Sequence, residues 1–254
     1  MAVYQITPLD LGRAEREMSF FTYFKNVGIK LTLAVPSFLV QGNGLNILVD
    51  TGMPAEASLT PAWHMPFETG PDQTMVVQLA KFGLTPSDIN LVIFTHLHWD
   101  HVYNVHLLTK AHFFITKREY EYALDPVFPM HEMFYDSPSH GFKAPWRDPD
   151  YHFTKDYEEI VEGIVVFNTP GHSVGHQSVS IDTEDGRYIL SGDLIPLYEN
   201  WEQRTPSGMI TSIEDYVKSF NRIAKMGGTV IPSHDLKMMD LLVPKSRLTK
   251  GASK

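Results

Sequence analysis

Apolar residues come in short runs along the chain, some with strand-like and some with helix-like spacing. Residues 31–40 and 45–50 are apolar, β-rich runs separated by Gln41-Gly42-Asn43-Gly44, which predicts a β-hairpin. Helical spacing predicts helices over residues 72–82, 117–124 and 213–226. Further strands are predicted over residues 91–94, 112–115, 164–167, 177–181, 188–190 and 229–231. Strands in runs with helices between some of them favour two sheets packed face to face with helices outside.

Residues 127–153 depart from this pattern, because aromatic residues, prolines and charges alternate there without a clean period. The aromatic residues are Phe128, Phe134, Tyr135, Phe142, Trp146, Tyr151 and Phe153. We expect an irregular surface insertion, either a packed loop or a lid over a ligand pocket. The early aromatic run at residues 20–24 fits a strand, a contact between two copies or another pocket wall. No linker or repeat divides the chain, so residues 1–254 are expected to form a single domain.

The composition of the chain makes some classes of function less suitable than others. The formal charge is −9, which disfavours a protein that must hold a phosphate backbone, so no nucleic-acid partner is expected. The chain has no cysteine, so any metal site must be built from His, Asp or Glu. The N-terminus lacks the pattern of a signal peptide, and no segment approaches ~18 consecutive apolar residues. We therefore expect a cytoplasmic protein without a membrane partner.

The strongest chemical signal is the segment His96-x-His98-x-Asp100-His101, which directly follows the predicted strand at residues 91–94. In extended chain, His96 and His98 point the same way because they are two residues apart. The turn that must follow directs Asp100 and His101 to a neighbouring point. Such an arrangement suits two metal ions ~3.5–4 Å apart.

Three later candidates each stand where a glycine or proline ends a predicted strand, namely His172, Asp193 and His234. His172 would complete the first metal site and His234 the second, while Asp193 could bridge the two ions. A set of imidazoles and carboxylates suits Zn²⁺, with Mn²⁺, Fe²⁺ and Co²⁺ as alternatives. The sequence thus predicts two divalent metal ions, Zn²⁺ first among them.

The order of these motifs resembles the metallo-β-lactamase superfamily and, within it, the N-acyl-homoserine lactonases. The resemblance runs from about Pro36 to Asp235 and is carried by LVDTGMP at residues 48–54, the HxHxDH core, and TPGHSVGHQS at residues 169–178. It implies an α/β (α+β) fold, a four-layer αββα sandwich with the site at one edge. It also implies a quorum-quenching lactonase, in which a hydroxide held between two zinc ions attacks the lactone carbonyl and Asp100 moves the proton.

The resemblance also assigns roles outside the ligand set. The lactonases carry a Tyr three residues after the bridging Asp that reaches the substrate carbonyl; here that position is Pro196, and Tyr198 is the candidate replacement. Asp50 is expected to orient a ligand histidine, and His176 to form hydrogen bonds within the fold. The expected partner is a small-molecule substrate, and the expected assembly a monomer or homodimer. Hydrolysis of another acyl bond (a thioester or a β-lactam) and of a phosphodiester remain alternatives.

Overall fold

The computed structural model describes residues 3–56, 64, 66–127, 129–136 and 144–241. The strands are β1 Gln5–Glu17, β2 Lys30–Gly42, β3 Leu45–Val49, β4 Phe67–Glu68, β5 Leu91–Ile93, β6 His112–Thr116, β7 Tyr151–Thr154, β8 Tyr157–Val161, β9 Ile164–Asn168, β10 Gln177–Thr183, β11 Gly186–Leu190 and β12 Thr229–Ile231. The α-helices are α1 Met75–Ala80, α2 Trp99–Val102, α3 Lys117–Leu124, α4 Pro129–Tyr135, α5 Tyr198–Glu202, α6 Ile213–Met226 and α7 Met238–Leu241. In this part of the chain, no helix is long and apolar enough to cross a membrane.

The described strands form two sheets. The first has the order β4-β1-β2-β3-β5-β6-β7, and the second has the order β12-β11-β10-β9-β8. Strand β2 is antiparallel to β1 and β3, whereas β3, β5, β6 and β7 run parallel to one another. Because parallel strands end at the same edge of a sheet, the residues that follow β3 and β5 come together there.

Alternate residues of each strand face opposite layers, and this alternation builds the four-layer sandwich. Ile47 and Val49 of β3 point between the sheets, where they join Val166 and Val179 of the second sheet in one hydrophobic cluster. Leu48, between them, points to the outer face of the first sheet. There the core includes Leu48 and Val92 with Met75 and Leu79 of α1 and Ala123 of α3. On the outer face of the second sheet, Phe167, Ile189 and Val230 pack against Tyr216, Phe220 and Ile223 of α6.

The αββα expectation is therefore confirmed, as is the β2–β3 hairpin. Helices α3 and α6 have the predicted bounds, whereas α1 covers only the centre of its predicted range. The long strand β1 was not predicted. The organisation of the whole chain as a single domain stays a prediction.

The described part of residues 127–153, for which we expected an irregular surface insertion, contains regular elements. Helix α4 lies within it, and β7 extends the first sheet as a parallel neighbour of β6. Tyr135 and Trp146 are buried in the outer core of the first sheet, so part of the segment belongs to the core rather than to the surface. Phe128 and Phe142 lie outside the described residues.

Candidate metal centre

The structure brings together all seven residues that the sequence proposed as metal ligands. One set follows β5 of the first sheet, and the other follows β9, β11 and β12 of the second sheet. They form three groups in which the potential ligand atoms all lie within 4.8 Å of one another: His96, His98 and His172; His96, His101 and Asp193; and Asp100, His101 and His234.

Asp193 lies between the two halves of this cluster, with one carboxylate oxygen towards each. Its Oδ1 is 3.0 Å from Nε2 of His234 and 3.3 Å from Nε2 of His101. Its Oδ2 is 3.5 Å from Nε2 of His172 and 4.0 Å from Nε2 of His96. A carboxylate in this position is able to bridge two ions.

Asp100 belongs to the half that contains His101 and His234. Its Oδ1 lies 3.9 Å from Nε2 of His101, and its Oδ2 lies 3.7 Å from Nε2 of His234. The Asp100 side chain is 20 % exposed, whereas that of Asp193 is 5 % exposed. Asp100 is therefore the carboxylate of the cluster that a molecule entering from solvent meets more easily.

The buried nitrogens of the cluster fit metal ions better than they fit one another. Nε2 of His96 and Nε2 of His101 are buried and have no hydrogen-bond partner among the described residues, a costly situation for a polar atom in a protein interior. Burial and the neighbouring imidazoles lower the pKa of His96 and of His98 well below the ordinary value. These rings are therefore neutral, which is the form that binds a metal.

Two rings of the candidate cluster are anchored through one nitrogen, so that the other nitrogen faces the centre of the cluster. Nδ1 of His172 lies 2.8 Å from the carbonyl oxygen of Met209, and Nδ1 of His234 lies 2.8 Å from that of Ala34. A hydrogen bond at one ring nitrogen fixes the tautomer and orientation of the other.

Asp50 performs the same task for His101, as the sequence predicted. Its Oδ2 lies 2.8 Å from Nδ1 of His101 and also accepts a hydrogen bond from Oγ1 of Thr95 at 2.8 Å. Asp50 has a φ of 58°, and it directly follows β3, beside the end of β5. The prediction for His176 is also confirmed, because its Nδ1 lies 2.9 Å from Oγ1 of Thr169.

A cleft with mainly apolar walls opens beside Asp100 and Asp193. Its apolar lining is Ala14, Phe20, Phe21, Leu33, Val35, Trp99, Phe134 and Met209. The early aromatic run therefore supplies a pocket wall, one of the three predicted alternatives. Ala14 and Arg16 come from β1, which sequence reasoning missed. Residues 127–153 reach the cleft through Phe134, whose ring centroid is 5.3 Å from that of His98.

The position of Tyr198 does not support its predicted contact with the substrate. The lining of the cleft, as far as the structure describes it, does not include Tyr198. Its half-buried ring instead packs against the hydrophobic cluster between the sheets, and its backbone N–H donates to Oδ2 of Asp235. Tyr198 is the first residue of α5, and Leu197 before it has an extended backbone.

The chain belongs to the metallo-β-lactamase superfamily, whose family model matches residues 32–234. Relatives that it matches include N-acyl homoserine lactonases. AiiA of Bacillus thuringiensis subsp. kurstaki is 31% identical over 216 residues, which are 81% of this chain and 82% of that enzyme. AttM of Rhizobium radiobacter is 27% identical over 226 residues, 82% of this chain and 84% of the relative. The crystal structure of a B. thuringiensis AiiA mutant with N-decanoyl-L-homoserine bound at the active site has a TM-score of 0.80 and 26% identity, covering 95% of this chain and 97% of that one.

Proposed function

We propose that this protein is a metal-dependent hydrolase that opens the ring of N-acyl homoserine lactones. The observation that carries the proposal is the position of Asp193 between two groups of histidines, with Asp100 beside a mainly apolar cleft. The lactonases that share about a third or a quarter of its residues over most of its length support the substrate class.

We assign one ion to His96, His98, His172 and Asp193, and the second ion to Asp100, His101, His234 and Asp193. Two divalent ions, Zn²⁺ first among the candidates, would supply an acidified water and an electrophile for the carbonyl oxygen. The protein contributes rings held in one orientation, so the nitrogens do not have to be rearranged when the ions bind.

Asp100 is the residue that moves a proton. In the hydrolysis, water adds its oxygen to the carbonyl carbon, the ring C–O bond breaks, and the alcohol oxygen gains a proton. An Asp100 oxygen can accept the proton of the attacking water and deliver it to the departing alkoxide. The apolar walls meanwhile hold the acyl chain and exclude bulk water from the reacting atoms.

Three finer points belong to the same proposal. Zn²⁺ as the physiological metal follows from the imidazole and carboxylate ligand set, and a quorum-quenching role follows from the resemblance to the lactonases. We also propose a cytoplasmic location and a monomeric or homodimeric state. Hydrolysis of a thioester, a β-lactam or a phosphodiester would use the same kind of centre, so these substrates form the other arms of the test.

The experiment is a comparison of substrates with the purified, zinc-loaded protein. N-hexanoyl and N-decanoyl homoserine lactone, a glutathione thioester, a penicillin and a phosphodiester are each assayed for kcat/KM, with chelator-treated protein as the control. We expect the lactones to be turned over most efficiently and chelation to abolish that turnover. A higher kcat/KM for another class would reject the lactonase assignment and name the class that replaces it.

A further inference from the structure

A buried carboxylate stands behind the candidate metal centre without being one of its ligands. Glu119, in the first turn of α3, has an exposed fraction of 0%. Its Oε1 accepts hydrogen bonds from the backbone N–H of Leu97 at 3.2 Å and from the hydroxyl of Tyr135 at 3.0 Å. Its Oε2 accepts from the hydroxyl of Ser173 at 2.7 Å and from the backbone N–H of Gly175 at 2.9 Å.

Three of these four donors, Leu97, Ser173 and Gly175, come from the segments that carry the three-histidine group His96, His98 and His172, and the fourth, Tyr135, ends α4. Leu97 lies between the first two of these histidines, and Ser173 follows the third. One carboxylate therefore ties together a loop of the first sheet and a loop of the second. The ring of Tyr135 also packs edge-on against the ring of His98, with 4.7 Å between centroids.

The contact between the second loop and α3 is too close for a side chain at position 175. A Cβ on Gly175 would collide with the backbone of Glu119, so the loop is pressed against the start of the helix. Thr116 fixes the same point, because its hydroxyl accepts from the N–H of Glu119 and donates to the carbonyl oxygen of Gly175.

A carboxylate is the side chain that this position requires, because each of the four partners is a donor. Burial raises the pKa of Glu119, and the four hydrogen bonds act in the opposite direction. A glutamine of the same shape would place an NH₂ group against two donors and leave them without an acceptor. Buried donors that lose their acceptor are costly, so the two loops would have to move apart.

We propose that Glu119 is a positioning residue that sets the geometry of the three-histidine group His96, His98 and His172. The proposal rests on the metal site proposed above, but its test reads metal binding and not lactone turnover. Asp50 instead contacts His101, a member of the group Asp100, His101 and His234, so we assign Glu119 to one half of the centre.

The test compares Glu119→Gln with the wild type in the cobalt-loaded protein. We expect the affinity for one of two Co²⁺ ions to fall roughly 10- to 100-fold, the range that orienting partners of ligands usually give. The visible absorption of the bound Co²⁺ should change as well. The matched control is Glu121→Gln, which alters an exposed residue of the same helix that pairs with Lys117 at 3.4 Å.

Two single-donor variants, Ser173→Ala and Tyr135→Phe, decide the matter where Glu119→Gln fails to fold. Each variant is expected to lower the affinity for one Co²⁺ ion and to shift its absorption spectrum. Both effects should be smaller than those caused by the loss of the carboxylate. Unchanged Co²⁺ affinity and spectrum in a folded Glu119→Gln protein, or in both single-donor variants, would overturn the proposal. If His98→Ala also leaves Co²⁺ binding unchanged, the metal site itself is contradicted. Failure of the Glu119 proposal and failure of the proposed metal site are therefore distinguishable.

Discussion

Two carboxylates of the candidate centre, Asp100 and Asp193, have different surroundings, which suit the different roles that we propose for them. Asp193 is buried. Burial by itself would raise the pKa of Asp193, but the imidazoles of His234 and His101 hold that pKa well below the ordinary value. Its hydrogen bond from the hydroxyl of Ser233 also restrains it. Asp100 has fewer close neighbours and faces the cleft. The restrained environment of Asp193 suits a bridging ligand. The more open environment of Asp100 suits a carboxylate that exchanges protons with a substrate.

The variant Asp100→Asn tests the proton-transfer role, because the amide keeps the shape but cannot accept the proton. We expect kcat on a lactone to fall at least ~10²-fold, the lower end of what general acid–base catalysis contributes. Elemental analysis of the same preparation separates this loss from a loss of metal. A near-normal kcat at full metal content would remove Asp100 from the mechanism.

The contribution of Asp50 is tested with Asp50→Asn. The amide cannot accept hydrogen bonds at both of its ends from His101 and from Thr95, whose N–H donates to Oδ1 at 2.7 Å. We therefore expect a roughly 10- to 100-fold loss of zinc affinity, measured by competition with a chelator. Asp182→Asn, on an exposed carboxylate paired with Arg187, is the control. Equal zinc affinity in the two variants would show that His101 is held by other contacts.

At the scale of elements, the sequence indicated the members of the candidate metal cluster better than the walls of the cleft. Each member follows a short strand with a clear apolar pattern, and a glycine or proline often marks the junction. Strand β1 was missed because Pro8, Gly12 and several charges interrupt it and a bulge between Asp10 and Arg13 breaks its alternation. Its Arg16 reaches the cleft only through tertiary packing, which no local pattern records.

Arg16 provides a prediction about this missed strand. Its guanidinium donates to the carbonyl oxygens of His64 at 2.6 Å and Pro66 at 2.5 Å, and it lines the cleft. Arg16→Lys keeps the charge but not the two-pronged geometry. We expect KM for a lactone to rise while kcat changes little, with Arg187→Lys on the surface as the control. A fall in kcat at constant KM would place Arg16 with the reacting atoms instead.

Helix α4 brings one aromatic residue to the cleft, and this allows a test of substrate preference. Phe134→Ala removes an apolar wall, which is expected to cost about 1–2 kcal/mol for a long acyl chain, or roughly 5- to 30-fold in kcat/KM. The kcat/KM ratio of N-decanoyl to N-hexanoyl homoserine lactone should fall by that factor. Phe153→Ala, at a 41% exposed position in the same segment, should leave the ratio unchanged. An equal kcat/KM ratio in the two variants would show that Phe134 does not form a wall for the acyl chain.

At the scale of the whole molecule, the candidate centre connects the two sheets. His96, His98, Asp100 and His101 follow a strand of the first sheet, whereas His172, Asp193 and His234 follow strands of the second. Each group of ligands therefore takes members from both sheets. A site divided in this way does not exist in the unfolded chain, so the free energy of metal binding adds to the free energy of unfolding.

This coupling predicts that metal removal destabilises the fold. Protein prepared without chelator should contain close to two metal ions per chain, since seven ligands serve two sites. An ion present at 100 times its Kd adds about 2.7 kcal/mol, and Tm changes by roughly 2–4 °C per kcal/mol for a chain of this size. Chelation should therefore lower Tm by roughly 5–10 °C for each ion lost, and added Zn²⁺ should restore it.

Calorimetry with and without chelator measures this shift in Tm. The variant His98→Ala, which lacks one proposed ligand, should show a smaller shift in Tm. A metal content of zero, or a Tm indifferent to chelation in protein shown to have contained metal, would mean that the seven side chains do not join the two sheets through bound ions.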